Sequence, residues 1–340
     1  MLIKSRRLRG LLNSLGSVAV TLFGLLLVTF VISRMLPADP VLAIVGDHAT
    51  DEYVERVREQ LGLNKPILVQ FWIYLTNVVQ GDLGQSIRTS QPIAQELLTV
   101  FPATLELATL GTLIGVVFGI PLGVLAAVRK DTLIDHIVRF FGLVGYSVPI
   151  FWLGLMGLLV FYAKLDWLPG PGRLDFGYED MVTPVTGLMT VDTLIAGDMD
   201  LFKNALGHLI LPASLLGYYS LAYISRMTRS LMLGQLSQEY ILTARVKGVS
   251  ESRIIWKHAM GNVLVPLITV IALSYGNLLE GSVLTEAVFA WRGLGLYITD
   301  AIFGQDMPAV MGGTIVVGAV FIVINMLTDV AYRLLDPRAQ

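Results

Sequence analysis

Six stretches of this chain, residues 15–32, 104–128, 137–162, 208–224, 263–284 and 309–331, read as membrane-crossing segments. A spanning helix needs about 20 mainly apolar residues. Hydrocarbon offers the backbone no hydrogen-bond partners, so each run must fold as a helix. Composition agrees: 54% of the residues are hydrophobic and 15% charged, against about 25% charged in soluble domains. The expected fold class is an all-α integral membrane protein with six transmembrane helices. Lys4, Arg6, Arg7 and Arg9 precede the first run. That run is longer than the apolar core of a signal peptide, and no Ala-x-Ala-like site follows it, so it reads as a retained anchor.

Basic residues set the orientation. With the N-terminus inside, the inner segments carry the four residues above, then Arg129, Lys130 and Arg139. Arg226, Arg229, Arg245, Lys247, Arg253 and Lys257 follow, and then Arg333 and Arg338. The outer segments are longer and hold fewer, which places both termini in the cytoplasm. Residues 1–100 are then an anchor helix with an outer segment, in which 51–61 reads as a surface helix. Its apolar face carries Val54, Val57 and Leu61, its start is capped by Thr50 or Asp51, and Gly62 and Pro66 mark its end. Residues 101–335 form the core. Within it, 163–207 is an outer loop rich in Pro, Gly and Asp that reads as an ordered loop or lid, and 226–262 is an inner loop.

Several chemistries find no support. There is no cysteine, hence no disulfide, thiolate metal site or cysteine nucleophile. His48, His136, His208 and His258 are scattered, fall on both sides of the membrane and read as interfacial residues, with no metal cluster. Glu106, Glu280, Asn325 and Asp329 lie near span ends, where polar side chains are ordinary. The nearest glycine-rich string, Gly81-Asp-Leu-Gly84, lacks the lysine of a phosphate-binding loop. If ATP is used, another chain binds it. No internal repeat of the kind common in ion-coupled carriers is visible.

Gly111, Gly115, Gly119 and Gly123 recur every four residues and share one helix face. Small residues there let a second helix approach closely. The partner is either a helix of the same chain or a subunit or moving interface. Pro121 is expected to bend the same helix. Tyr146, Ser147 and Pro149 interrupt the third run with polar and helix-bending groups, as gate elements or as packing detail.

The inner loop carries the most order. Glu239–Val246 has helical composition, Gly248 can adopt the left-handed conformation that ends a helix, and Ser250 and Glu251 suit the start of another. The sequence Ala244-x-x-x-Gly248 followed by an apolar run with Pro266 resembles the EAA loop of ABC-importer permeases. The resemblance covers nearly the whole chain. It includes Leu36-Pro-Ala-Asp-Pro40, Gly81-Asp-Leu-Gly-Gln-Ser86, Pro102-Ala-Thr-Leu-Glu106, Gly119-Ile-Pro-Leu-Gly-Val-Leu-Ala-Ala127, Ser147-Val-Pro-Ile-Phe-Trp-Leu-Gly154, Arg226-Met-Thr-Arg229 and Leu284-Thr-Glu-Ala-Val-Phe-Ala-Trp291. These look like the peptide/nickel class. Residues 183–192 look most like dipeptide permeases of the B type. Two departures stand out: Leu242-Thr243 replaces the generic Glu-Ala, and Arg292 replaces a proline before Gly293.

The resemblance implies a type I ABC-importer permease in the bacterial inner membrane. It pairs with a related permease as a heterodimer, with two cytoplasmic ABC ATPases that hold ATP-Mg and with a periplasmic substrate-binding protein. The cargo is a dipeptide or short peptide, moved by alternating access. The chain itself is not an enzyme, binds no cofactor, metal or nucleic acid, and sits in the lipid bilayer. The resemblance assigns coupling to the ATPase to Glu239, Ala244, Arg245, Lys247, Gly248 and Ser250. Pore or gate candidates are Tyr146, Ser147, Pro149, Glu280 and Glu286. Alternatives are another cargo (a longer peptide, nickel chelate, glutathione or haem) or an ion-coupled carrier or channel acting alone.

Overall fold

The computed structural model describes residues 2–35, 41, 50–60, 62–178 and 181–335. The motif 36–40, His48, Leu61, Glu179, Asp180 and Arg338 lie outside the described residues. Among the described residues the regular structure is helical, and the β structure is an isolated bridge between Gln85 and Pro92. The helices are α1 (Leu2–Met35), α2 (Asp51–Gln60), α3 (Ile67–Val79), α4 (Ile93–Val128), α5 (Leu133–Ser147), α6 (Ile150–Lys164) and α7 (Met189–Ile195). They continue with α8 (Met199–Leu236), α9 (Glu239–Val246), α10 (Glu251–Gly281), α11 (Val283–Val288), α12 (Leu294–Phe303) and α13 (Met307–Leu335).

Four of these, α4, α8, α10 and the stretch Met307–Ala331 of α13, are long and apolar enough to span a membrane. The third expected span differs. It is two helices, α5 and α6, that meet at 97°. Pro149 has no N–H, so a straight helix would lose the bond to Gly145. The chain turns there instead, and Val148 takes an extended conformation. In α1 the apolar part Val18–Arg34 is shorter than a full span.

The chain divides into two compact units, residues 1–100 with 297–323, and residues 101–296 with 324–340. In the first, α1 packs on α3 through aromatic contacts. Phe30 meets Phe71 at 5.3 Å and Tyr74 at 5.7 Å, and the Thr29 and Tyr74 hydroxyls lie 3.3 Å apart. The Gly81–Ser86 motif proves to be a turn. Asp82 accepts the amide of Gly84, both glycines have positive φ, and Ser86 donates to buried Asp306. Gly62, at φ 67°, ends α2 as the sequence predicts, with Leu63 N bonded back to Arg58 O at 3.0 Å.

In the second unit the glycine stripe decides the packing. All four glycines of α4 face α8. Gly111 meets Leu216, Gly115 meets Ser220, Gly119 meets Leu221 and Ile224, and Gly123 meets Ser225 and Thr228. The stripe therefore packs within the monomer, against α8. Antiparallel α5 covers α8 beside it: Gly145 lies against Ala222 and Tyr218. Asp135, fully buried, receives Arg229 Nε at 2.6 Å and Nη2 at 2.7 Å.

The segment 163–207 is more ordered than its lack of period indicates. It contains α7 and the first turns of α8, which starts well before the expected 208. Leu174, Val182, Leu201 and Ala205 form a small core of their own. Glu106, expected at an interface, is buried and pins the segment. It accepts Arg173 Nη2 at 3.0 Å, Thr190 N at 2.9 Å and Thr190 Oγ1 at 2.6 Å. His208 is also buried, between Gly170 O at 3.0 Å and Asp175 Oδ1 at 3.2 Å.

Asp192 closes the same segment. Its carboxylate accepts the amides of Val185, Thr186 and Gly187 and the Thr186 hydroxyl. Burial pushes its pKa up, but these donors outweigh it and hold the group below the usual aspartate value. A depressed pKa stabilises the fold fully above the ordinary aspartate range and is lost as pH falls through the lowered value. Hydrogen exchange at residues 185–187, corrected for the intrinsic pH effect, is therefore expected to stay slow from pH 7 down to that range. Asp192→Asn should free these amides at pH 7; equal protection in variant and parent would show that the carboxylate does not hold the turn.

Candidate functional site

The loop between α8 and α10 is built from its glycine outward. At the end of α9, Gly248 N bonds to Arg245 O at 2.9 Å and Val249 N to Ala244 O at 3.1 Å. This is the Schellman arrangement, which requires a left-handed residue one past the helix cap. Gly248 fills it at φ 75°. Ile241 of α9 and Ile254 of α10 are fully buried in one apolar cluster with Met232, Met260 and Val263, and Ala244 and Val249 pack against it. Arg245 bridges the turn, with Nε 2.8 Å from Glu251 Oε1 and Nη2 3.3 Å from Oε2. Tyr240 accepts from Asn262 Nδ2 at 3.0 Å and donates to Gln235 at 2.8 Å. The short helix α9 is thereby fixed between the long helices α8 and α10.

The expected coupling residues divide. Glu239, Arg245, Lys247, Gly248 and Ser250 are exposed, whereas Ala244 is half-buried and supports the turn from below. Ser250 has the extended backbone of a cap, yet its side chain makes no cap bond, and the ion pair to Glu251 ties this end instead. The sequence reading missed Leu242 and Val246. They stand 63% and 81% exposed, four residues apart on one face of α9. The i, i+4 spacing puts the pair on one face, but its exposure follows only from Ile241 filling the inward face.

The pore candidates also divide. Tyr146, Ser147 and Pro149 are exposed at the α5–α6 break. Glu280 is exposed at the end of α10. Glu286 is fully buried and lines no open space. It accepts from Thr104 Oγ1 at 2.7 Å, Ser282 Oγ at 2.8 Å and Leu296 N at 2.8 Å. A side chain at Gly293 would strike its Cδ at 2.5 Å. Glu286 is thus a strut, and its expected place on a pore is corrected. The same contacts hold the turn around Arg292. Ala290 supplies the positive φ of 47°, Trp291 N bonds to Glu286 O at 2.8 Å, and Arg292 points outward, exposed. No group of three or more His, Asp or Glu able to hold a metal occurs among the described residues.

Two family models match the chain. The binding-protein-dependent transport system inner membrane component covers residues 119–340, and the N-terminal component of the same systems covers residues 7–108. This chain belongs to that family. The permease is 46% identical over 315 residues to the probable D,D-dipeptide transport system permease DdpB of Escherichia coli, covering 93% of this chain and 92% of the relative. It is 43% identical to the di/tripeptide transport system permease DppB of Pseudomonas aeruginosa, covering 95% and 96%. To the dipeptide permease DppB of Escherichia coli it is 41% identical, covering 97% and 98%. Among solved structures it resembles an inward-facing MetNI methionine ABC transporter chain. The TM-score is 0.53 at 18% identity, covering 73% of this permease and all of that chain. The fold is that of an ABC-importer permease, and the chain is a multi-pass component of a bacterial inner membrane.

Proposed function

We propose that this permease is one half of a heterodimeric channel in an ATP-driven importer of dipeptides or short peptides. It crosses the membrane six times with both termini in the cytoplasm, counting α1 and the bent α5–α6 pair as spans. A related permease forms the other half, two cytoplasmic ATPases carry ATP-Mg, and a periplasmic binding protein delivers the peptide. The chain itself holds no nucleotide or other cofactor. The observation that carries this reading is the α9 loop. Its apolar pair, Leu242 and Val246, is held in the open by a capped turn and a bidentate ion pair. It is shaped to press on another protein, and Glu239, Arg245, Lys247, Gly248 and Ser250 frame it. Cargo rests on relatives whose names specify dipeptides and di/tripeptides and that match almost end to end. The segment 163–207, pinned through Glu106 and Asp192, is a firm docking surface for the loaded binding protein.

Purification of the permease from its native membrane, followed by uptake of a peptide panel, tests both parts. Two ATPases and a second permease are expected to come with it, and a radiolabelled dipeptide to enter cells in an ATP-dependent way. A lone oligomer would refute the importer, and uptake confined to longer peptides or a nickel chelate would reassign the cargo.

A further inference from the structure

The long helix α8 carries a cation that makes no ion pair among the described residues. Arg229 has its acid in Asp135. Arg226, one turn earlier and exposed, lies over tyrosine rings instead: its guanidinium carbon is 4.5 Å from the Tyr146 centroid and 5.9 Å from that of Tyr223. Tyr146 stacks on Tyr219 at 5.3 Å and 19°. Tyr219, Tyr223 and Arg226 are spaced four and three apart, so they form one face of α8. That face is distinct from the one formed by Leu216, Ser220 and Ile224, which packs on the glycine stripe. Tyr146 closes the cluster from the last turn of α5, beside the 97° break.

Helical side chains lean toward the N-terminus of their helix, and Arg226 accordingly lies over Tyr223 in the preceding turn and over Tyr146. A guanidinium with no acidic partner beside it can take an anion. The adjoining break exposes Ser147 and deprives the Gly145 carbonyl of its helical donor, since Pro149 has no N–H. The surroundings are therefore polar on one side and aromatic on the other.

We infer that Tyr146, Tyr219, Tyr223 and Arg226 form a station on the translocation path that holds the C-terminal carboxylate of a passing peptide. Arg226 supplies the planar fork that suits a carboxylate, and the tyrosine rings keep that fork in place and face the peptide. This inference rests on the peptide-import reading above.

The test is uptake of radiolabelled alanyl-alanine by the complete transporter carrying Arg226→Gln or Arg226→Lys, with complex abundance measured by co-purification. Loss of a charge-assisted contact predicts a fall of about tenfold or more for Arg226→Gln. Arg226→Lys keeps the charge but loses the planar fork, so its uptake should fall between those of the parent and of Arg226→Gln, and both variants should assemble normally. Full uptake by Arg226→Gln, with wild-type uptake intact, overturns this inference alone. Failure of Arg226→Gln to assemble with the second permease overturns it too, by making Arg226 a subunit contact. Absence of dipeptide uptake by the wild-type transporter overturns the import reading and this inference with it.

Discussion

Gly115→Ala is expected to destabilise the permease more than Gly119→Ala, and Gly115→Leu to prevent folding altogether. A methyl group at Gly115 would overlap the Ser220 hydroxyl and lie 3.0 Å from the Ser220 carbonyl carbon. Ser220 has no room to yield. It is fully buried, and its hydroxyl pairs with that of Ser274 on α10 at 2.9 Å. The added carbon must therefore push α4 from α8 and strain a contact that joins a third helix. At Gly119 the nearest neighbours are Leu221 O at 3.2 Å and Ile224 Cβ at 3.3 Å, a squeeze of a few tenths of an ångström. Overpacking of this kind costs about 1–3 kcal/mol for small additions, and leucine adds far more than one carbon. Thermal unfolding of the purified permease in detergent measures the order. A Gly115→Ala protein as stable as the parent would show that the helices separate at little cost.

The stripe also marks how far sequence reasoning reached. Spacing alone shows that four glycines share a face, because helical geometry is local. It cannot say which helix they meet, since Ser220 and Ile224 lie about a hundred residues away. The break at Ser147–Pro149 follows the same rule. Proline forbids a straight helix wherever it occurs, but the direction of the turn depends on Gly145 packing against Ala222 and Tyr218. The segment 163–207 was the least legible. Its order comes from Glu106 reaching Arg173 and Thr190 across 67 and 84 residues, and no periodicity encodes such pairs. The same blindness put Glu286 on a pore: a carboxylate in a span-rich chain looks functional until Thr104, Ser282 and Leu296 are seen around it. The α9 loop was legible because its grammar is short-range. A glycine one past a helix cap announces its conformation from within a few residues, whereas the exposure of Leu242 and Val246 becomes visible only once Ile241 is known to fill the core.

Gly248→Val is expected to uncouple the permease without unfolding it. No atom lies within 4 Å of where a Cβ would stand, so the substitution meets no clash. Its cost is conformational: at φ 75° an L-residue other than glycine is strained by about 1–2 kcal/mol, and β-branching makes the region worse. The chain can relieve this only by leaving the left-handed conformation. That breaks the bonds Gly248 N to Arg245 O and Val249 N to Ala244 O and swings Arg245 off Glu251. The apolar face of Leu242 and Val246 would then point elsewhere, while Ile241 and Ile254 keep the helices anchored in the core. A strain of that size corresponds to about a five- to thirtyfold shift between loop conformations. Co-purified ATPase and ATP-dependent peptide uptake should fall by a similar factor, with the unfolding temperature of the permease nearly unchanged. Gly248→Asn supplies the internal control, because asparagine tolerates the left-handed region and should keep most of both activities. Full ATPase recovery together with full uptake in Gly248→Val would mean that the angle of this loop does not transmit the stroke.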